Sequence, residues 1–370
     1  MKNNNKKIVF VIRGLGLGGA QKVLVFIANA CSKQGYDVNI VSLSDEKNTL
    51  NINEEINIYT LGYDSFTVNK LNKFLSSLHK AKLIFKLRKK IKKLNPSLIV
   101  AFMSDIVRIV VIAAKGLGIK IIGSERSNPL VYSSNQFKKY SKAYRCCDSI
   151  VFQTKRAAQM FQNDIQEKSV VIANPCIPRG NEIKPYDGER RKVIISAGRL
   201  CKQKRFDVLI YAFIKVLDKY PEYKLEIFGE GPERDKLEEI IKNHNLQNSI
   251  ILKGASKDVF RYAYDATAFV LSSDHEGIPN VLIEALSVGL PCISTDCEPG
   301  GPRLLLDEGR RGILVPIGDV EELSRAICSY IENPDLIKRY SELAVEIRHE
   351  FNPELIERKW LSLINNVLSI

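Results

Sequence analysis

Short runs of consecutive apolar residues recur along this chain, each followed by a turn and then by a segment with apolar positions three and four residues apart. In the first half the runs are Ile8 to Ile12, Val38 to Leu43, Ser97 to Phe102, Ile119 to Gly123, Ser149 to Gln153 and Val170 to Ile172. In the second half they are Val193 to Ala197, Tyr223 to Phe228, Ile250 to Lys253, Ala268 to Leu271, Pro291 to Thr295 and Gly312 to Pro316. Runs that are apolar at successive positions predict strands covered on both faces, as in parallel sheets. Helical spacing follows in AQKVLVFIANACSKQGY, in Val107 to Ala114, in DKLEEIIKNHNL and at Val281, Leu282, Ala285 and Leu286. It returns in Phe351 to Ile370, through Trp360, Leu361, Ile364 and Leu368. Strand and helix in alternation predict an α/β chain with doubly wound sheets.

The pattern breaks between Pro178 and Arg191, where Gly180, Pro185 and Gly188 stand among polar residues, the best linker candidate. At 370 residues there is chain enough for two domains. The expected division is a first domain over 1–178, a linker over 179–192, a second domain over 193–352 and a terminal helix over 353–370.

The most informative stretch is SSDHEGIPNVLIEALSVGL, Ser272 to Leu290. After a buried strand, Gly277 and Pro279 break the pattern, a helix begins, and Gly289-Leu290-Pro291 ends it. One carboxylate, Glu276, lies in the loop; another, Glu284, lies in the helix. Between them, free backbone N–H groups at a helix N-terminus favour an anion. In the first half Gly14-x-Gly16-x-x-Gly19 follows the first strand and opens a helix, which spells a dinucleotide fingerprint, with Asp45 or Glu46 past the second strand. Ser104 and Asp105 stand at the C-terminal end of another strand, where open α/β sheets place their ligands.

Glu276-x7-Glu284 within EGIPNVLIEALSVGLP resembles the retaining nucleotide-sugar glycosyltransferases of family 4. The chain is similar to that family at further points: GGAQKVL around Gly18 and Gly19, SERSNP at Ser124 to Pro129, GRLCKQKRFD from Gly198, and GEGP from Gly229. The resemblance implies the GT-B fold, two Rossmann-like domains facing a central cleft, with the terminal helix crossing back to the first. It implies that Gly18 and Gly19 let the backbone approach the donor diphosphate and the acceptor. It implies that Glu276 positions the sugar, Glu284 holds the ribose, and Arg199 and Lys204 pair with the diphosphate. Glu276, Arg199 and Lys204 would be the catalytic residues, and Gly229, Gly277, Ile278, Pro279 and Asn280 would line the donor. Fixed cations suit that place, because the leaving diphosphate gains charge as the glycosidic bond breaks. SERSNP is closest to members that transfer N-acetylhexosamines onto lipid-linked glycans. Arg126 and Asp105 are expected on the acceptor side. Three positions depart from the pattern: Arg126 replaces a common His, Arg205 replaces a Gly, and Leu304 replaces an acidic residue. An Arg cannot relay protons near neutral pH, yet it can bind phosphate.

Charge adds a partner. The net charge is +13, and Lys70 to Lys93 carries ten Lys or Arg and no acidic residue. Leu71, Phe74, Leu75, Leu78, Leu83, Phe85, Leu87 and Ile91 supply an apolar stripe there if the segment is helical. A basic amphipathic helix suits an anionic membrane surface, at about 1 kcal/mol per basic residue near the leaflet; packing on the sheet is the alternative. Aromatic platforms are sparse, so nucleic acid is not expected. No apolar run approaches the ~18 residues of a membrane span, and the N-terminal run is short for a signal peptide. The eight Cys form no CxxC pair and the four His no spaced metal pair, so reduced thiols and no metal cofactor are expected. No GxxxxGK[ST] loop occurs, which excludes a P-loop ATPase.

The expectation is a cytoplasmic glycosyltransferase, peripheral at the inner face of the plasma membrane. It would move GalNAc or GlcNAc from a UDP-sugar, with no cofactor, to a polyprenyl-linked or envelope glycan. The rivals are an NAD-dependent oxidoreductase, a UDP-sugar epimerase of the same fold, and a basic binding protein without chemistry.

Overall fold

A computed structural model describes residues 6–16, 18–45, 50–63, 73–177, 184–256 and 258–369. The chain divides into two units: Met1–Asn174 with Glu354–Ile370, and Pro175–Pro353.

The first unit is built on seven parallel strands: β1 (Lys7–Ile12), β2 (Asp37–Ser42), β3 (Asn57–Thr60), β4 (Leu98–Phe102), β5 (Lys120–Ser124), β6 (Ser149–Phe152) and β7 (Ser169–Val171). They lie in the order β3-β2-β1-β4-β5-β6-β7. Because side chains alternate across a strand, the run of β1 serves two cores. Val9 and Val11 pack with Leu83, Leu87, Ile91 and Val107 on one face. Ile8, Phe10 and Ile12 pack with Leu24, Ile27 and Trp360 on the other. The terminal helix Pro353–Ser369 therefore belongs to the core of the first unit: Trp360 is fully buried and stacks on Phe102 with ring centroids 5.8 Å apart.

The second unit repeats the plan with β8 (Arg191–Ala197), β9 (Lys224–Phe228), β10 (Ile250–Gly254), β11 (Ala266–Leu271), β12 (Cys292–Thr295) and β13 (Ile313–Val315), in the order β10-β9-β8-β11-β12-β13. All its pairings are parallel. In each sheet the winding direction reverses once, between β1 and β4 and between β8 and β11. Ligands of open α/β sheets bind at such reversals, beyond the carboxyl ends of the strands.

The strands expected from sequence all form, with ends shifted by a residue or two. Strand β3 was not anticipated. It is four residues long, lies at the sheet edge and is largely exposed, so it lacks the apolar run that marks its neighbours. The basic segment is a helix over Lys73–Leu94; Lys70 and Leu71 lie outside the described residues. One stripe, Leu83, Leu87, Ile91 and Leu94, is buried in the core, while Leu78 and Phe85 are 51% and 69% exposed. The stripe expected from sequence is thus two faces, one packed on the sheet and one open. Lys82, Lys86, Lys89, Lys92 and Lys93 are exposed as well. Among the described residues no helix is long and apolar enough to cross a membrane.

Candidate active site

The candidate donor residues other than Gly18 and Gly19 belong to the second unit and lie about its β8–β11 reversal. Beyond β8 the chain continues through Gly198, Arg199 and Leu200 alongside the end of β9: the Gly198 N–H donates to Phe228 O (2.9 Å) and the Leu200 N–H to Glu230 O (2.9 Å). Gly229 lets the two loops lie this close. Its φ is +149°, and a Cβ there would stand 1.8 Å from Gly198 O. Glycine at this position thus answers to the protein's own backbone. Arg199 extends from the loop and is exposed.

A 3-10 turn over Lys202–Lys204 follows, then Arg205 at φ 46°, ψ 43°, before the helix Phe206–Leu217. Arg205 occupies the left-handed region, so the turn survives its departure from Gly. Non-glycine residues pay strain there, and bonds to two carboxylates offset it: Nε reaches Asp207 Oδ1 (3.1 Å) and Nη1 reaches Asp274 Oδ1 (3.0 Å).

The turn is laced to the loop after β11. The Asp274 N–H donates to Gln203 O (2.9 Å), Gln203 Nε2 to His275 O (2.7 Å) and Ser272 Oγ to Lys204 O (2.8 Å). His275 thereby serves the loop through its carbonyl. Lys204 Nζ then meets Glu276 Oε1 at 2.5 Å, and Ser273 Oγ donates to the same oxygen at 2.7 Å. The two side chains are only 15% and 10% exposed. A cation and a carboxylate in so little water attract strongly and hold each other's geometry.

Glu276 is anchored through its backbone as well, its N–H donating to Glu298 O (3.1 Å). Gly277 follows with Gly301 pressed on it, where a Cβ would stand 1.6 Å from Gly277 O. Ile278 is buried, Pro279 is the extended residue before the helix, and Asn280–Ser287 is the helix. Pro279 thus leads into the helix and stands just before its first turn. Arg348 Nε donates to Ser287 O (2.7 Å) at the far end, a cation where the helix dipole favours one. Glu284 is half-buried in this helix. Leu304, in the departed acidic position, is 42% exposed, and the neighbouring Arg303 pairs with Asp296.

In the first unit the β1–β4 reversal carries an ion pair between Arg13, just past β1, and Asp105, in the first turn of the helix Ser104–Ala114. Gly18 is the extended residue before the helix Gly19–Lys33, which Gly19 begins. Asp45 is exposed, and Glu46 lies outside the described residues. Arg126, after β5, turns its side chain inward. Its guanidinium lies 4.6 Å from the Phe102 ring centroid and 5.6 Å from that of Trp360, and Nη1 donates to Asn174 Oδ1 (2.9 Å). Among the described residues its Nε and Nη2 are enclosed without a hydrogen-bond partner. Burial pulls its pKa down to about 9, with the Glu125 carboxylate pushing the other way. Sequence reasoning missed Arg13, whose partner Asp105 stands 92 positions away, and the burial of Glu125, which depends on Ser104 and Tyr144 as well as on near neighbours. Among the described residues no group of three or more His, Cys, Asp or Glu is arranged to hold a metal ion.

Two parallel-sheet α/β units, the second with a cation and a carboxylate locked together at its winding reversal, define an enzyme of the GT-B class. The profile of the family described as Glycosyltransferase Family 4 matches residues 17–178, and that of Glycosyl transferases group 1 matches residues 181–346. A Methanocaldococcus jannaschii glycosyltransferase is 31% identical over 339 residues, covering 77% of this chain and 83% of that protein. A Campylobacter jejuni protein, GalNAc-alpha-(1->4)-GalNAc-alpha-(1->3)-diNAcBac-PP-undecaprenol alpha-1,4-N-acetyl-D-galactosaminyltransferase, is 28% identical over 367 residues, covering 98% of this chain and 99% of that one. Among solved structures, S. aureus TarM in complex with fondaparinux, alpha-GlcNAc-glycerol and UDP superposes with a TM-score of 0.78 at 15% identity, covering 98% of this chain and all of that one. The chain belongs to the family 4 glycosyltransferases and is a glycosyltransferase. The oxidoreductase spelled by Gly14 to Gly19 is not favoured, since relatives across the whole chain are glycosyltransferases. The epimerase is not favoured on the same ground.

Proposed function

We propose that the protein is a retaining transferase that moves an N-acetylhexosamine, GalNAc or GlcNAc, from a UDP-sugar to a polyprenyl-diphosphate-linked or other envelope glycan. The observation that carries this reading is the Lys204–Glu276 pair, held at the β8–β11 reversal beside the N-terminus of the helix Asn280–Ser287. The Campylobacter relative, named for a GalNAc transfer in an undecaprenol series, supports the acceptor class. UDP in the TarM complex supports the nucleotide.

In this reading Glu276 orients the sugar, Glu284 holds the ribose, and Arg199 with Lys204 neutralises the diphosphate. The anomeric carbon–oxygen bond to phosphate breaks as the acceptor oxygen attacks from the same face. The acceptor proton passes to the departing phosphate oxygen, so no separate base is needed. The positive charge at the leaving group is supplied by the protein's own cations. Cations fixed at that place would stabilise the charge as it develops. Asp105 and the loop that carries Arg126 line the acceptor side in this reading, the Arg126 guanidinium itself being turned into the core.

A thermal-shift panel of UDP, UDP-GlcNAc, UDP-GalNAc, UDP-glucose, UDP-galactose, GDP-mannose and NAD tests the donor. A ligand at about 100 times its Kd adds roughly 2.7 kcal/mol to stability. UDP and one N-acetylhexosamine donor are expected to shift the midpoint; a shift with GDP-mannose or NAD alone overturns the reading.

The same reading puts the enzyme at the inner face of the plasma membrane, where its lipid-linked acceptor would lie. The open face of the helix Lys73–Leu94 is the contact, with Leu78 and Phe85 among exposed lysines. Apolar side chains flanked by cations suit an anionic leaflet. Replacing Lys89 and Lys93 by Glu is expected to reduce sedimentation with anionic liposomes, most at low salt; unchanged sedimentation would sink the anchoring idea.

A further inference from the structure

Glu125 closes β5 and is 1% exposed, and nothing in the transfer reaction proposed above uses it. Its Oε1 accepts the backbone N–H groups of Arg126 and Ser127, each at 2.9 Å, and the hydroxyl of Tyr132 at 3.0 Å. Its Oε2 accepts Ser104 Oγ at 2.5 Å and the hydroxyls of Tyr132 and Tyr144, each at 3.1 Å. Two carboxylate oxygens thus gather donors from three places: the loop after β5, the first residue of the helix Ser104–Ala114, and the aromatic side chains between. Ser104 is the chain neighbour of Asp105, and the Arg126 N–H belongs to the residue whose side chain lies over Phe102 and Trp360. One buried group therefore ties together the two backbone positions that carry Asp105 and Arg126.

The two backbone N–H groups can only donate, so Oε1 must accept. A Gln of the same shape keeps one accepting oxygen but turns an N–H₂ group toward the hydroxyls of Ser104, Tyr132 and Tyr144, which can meet it only by reversing their own bonds.

We infer that Glu125 is a positioning residue for the acceptor, setting the loop of Arg126 and the helix start of Asp105 in fixed register with each other. The inference rests on the reading that Asp105 and the loop of Arg126 line the acceptor side. Glu125 touches no reacting atom in this arrangement and acts through those two residues. Its loss is felt where the acceptor docks, while the donor residues Arg199, Lys204, Glu276 and Glu284 lie in the second unit and keep their own supports.

The experiment compares wild type, Glu125→Gln and Tyr132→Phe as full-length protein. The donors are UDP-GlcNAc and UDP-GalNAc, and the acceptor is a short-chain polyprenyl-diphosphate-linked N-acetylhexosamine. Acceptor KM, donor KM, kcat and acceptor-independent hydrolysis of the UDP-sugar are measured, with thermal unfolding alongside. Misplacement of a docking group by about 1 Å costs up to ~10²-fold. Glu125→Gln is expected to lower kcat/KM for the acceptor by about ten- to a hundredfold. Tyr132→Phe, which removes one donor, should have a smaller effect in the same direction. Donor KM and hydrolysis should stay near wild type in both. A folded Glu125→Gln enzyme with unchanged kcat/KM for the acceptor overturns the inference, and so does an equal fall in the donor and acceptor parameters. If Glu125→Gln does not fold, Tyr132→Phe decides, and an unchanged acceptor term overturns it. Failure of the underlying reading shows separately, as wild-type protein that transfers to no such acceptor.

Discussion

Lys204→Met is expected to slow sugar transfer by about 10²–10³-fold, the usual cost of removing one fixed stabilising group from a site of developing negative charge. Methionine keeps the length and packing of the lysine stem and removes only the cation. In the resting protein the same change strands Glu276, 10% exposed on its side chain, with Ser273 as its remaining side-chain donor. Removing one partner of a fully buried pair costs about 3–5 kcal/mol, and the small exposure here puts the loss at or below the low end. The two effects separate in the double variant. Adding Glu276→Gln to Lys204→Met removes the stranded charge, so stability should recover substantially while transfer stays lost. Initial transfer rates and thermal unfolding of the three variants check this. A Lys204→Met enzyme within a few-fold of wild-type rate would remove the lysine from the chemistry and leave it a structural role in fixing the loop of Glu276.

Trp360→Ala should have the largest effect on stability. The indole is fully buried, stacks on Phe102 and has the Arg126 guanidinium 5.6 Å from its ring centroid. Truncating a buried Trp costs about 3–5 kcal/mol through lost transfer energy and the cavity left behind. The cation–π contact adds to it, and on desolvation such contacts reach about 2 kcal/mol. For a unit of this size each kcal/mol moves the midpoint by about 2–4 °C, so a fall of roughly 6–28 °C is expected. Trp360→Phe, which keeps a ring against Phe102, should lose less. Differential scanning calorimetry reads both. A Trp360→Ala midpoint within about 2 °C of wild type would mean that the terminal helix contributes little to the first unit's core, against the calculated cost.

Local pattern carried much of this fold. The parallel strands were legible because each is buried on both faces and therefore apolar at successive positions, as Ile8 to Ile12 is. The donor helix was legible because Gly277, Pro279 and Gly289 punctuate it and because Glu276 and Glu284 stand close together in the chain. The edge strand β3 escaped because it is short and mostly exposed and so carries no such run. The basic helix was legible as a helix, but the sorting of its apolar residues into a packed stripe and an open pair was not. That sorting depends on which side the sheet covers.

Sequence by itself determined the α/β class, the succession of every strand but β3, and the contiguous motifs that resemble family 4. Those depend on backbone period and on residues that are neighbours in the chain. Tertiary structure alone decided which distant groups meet. Lys204 reaches Glu276 across 72 positions, and Arg13 reaches Asp105 across 92. Both pairs form because the winding reverses between β8 and β11 and between β1 and β4, which sets the loop after one strand beside the loop after another. The fate of two arginines was decided the same way. Arg205 keeps a left-handed turn because Asp207 and Asp274 are there to hold it, and Arg126 turns inward because Phe102, Asn174 and Trp360 converge on it. Strand order brings Asp274 to Arg205, and a helix returning from the far end of the chain brings Trp360 to Arg126; no local period encodes either meeting.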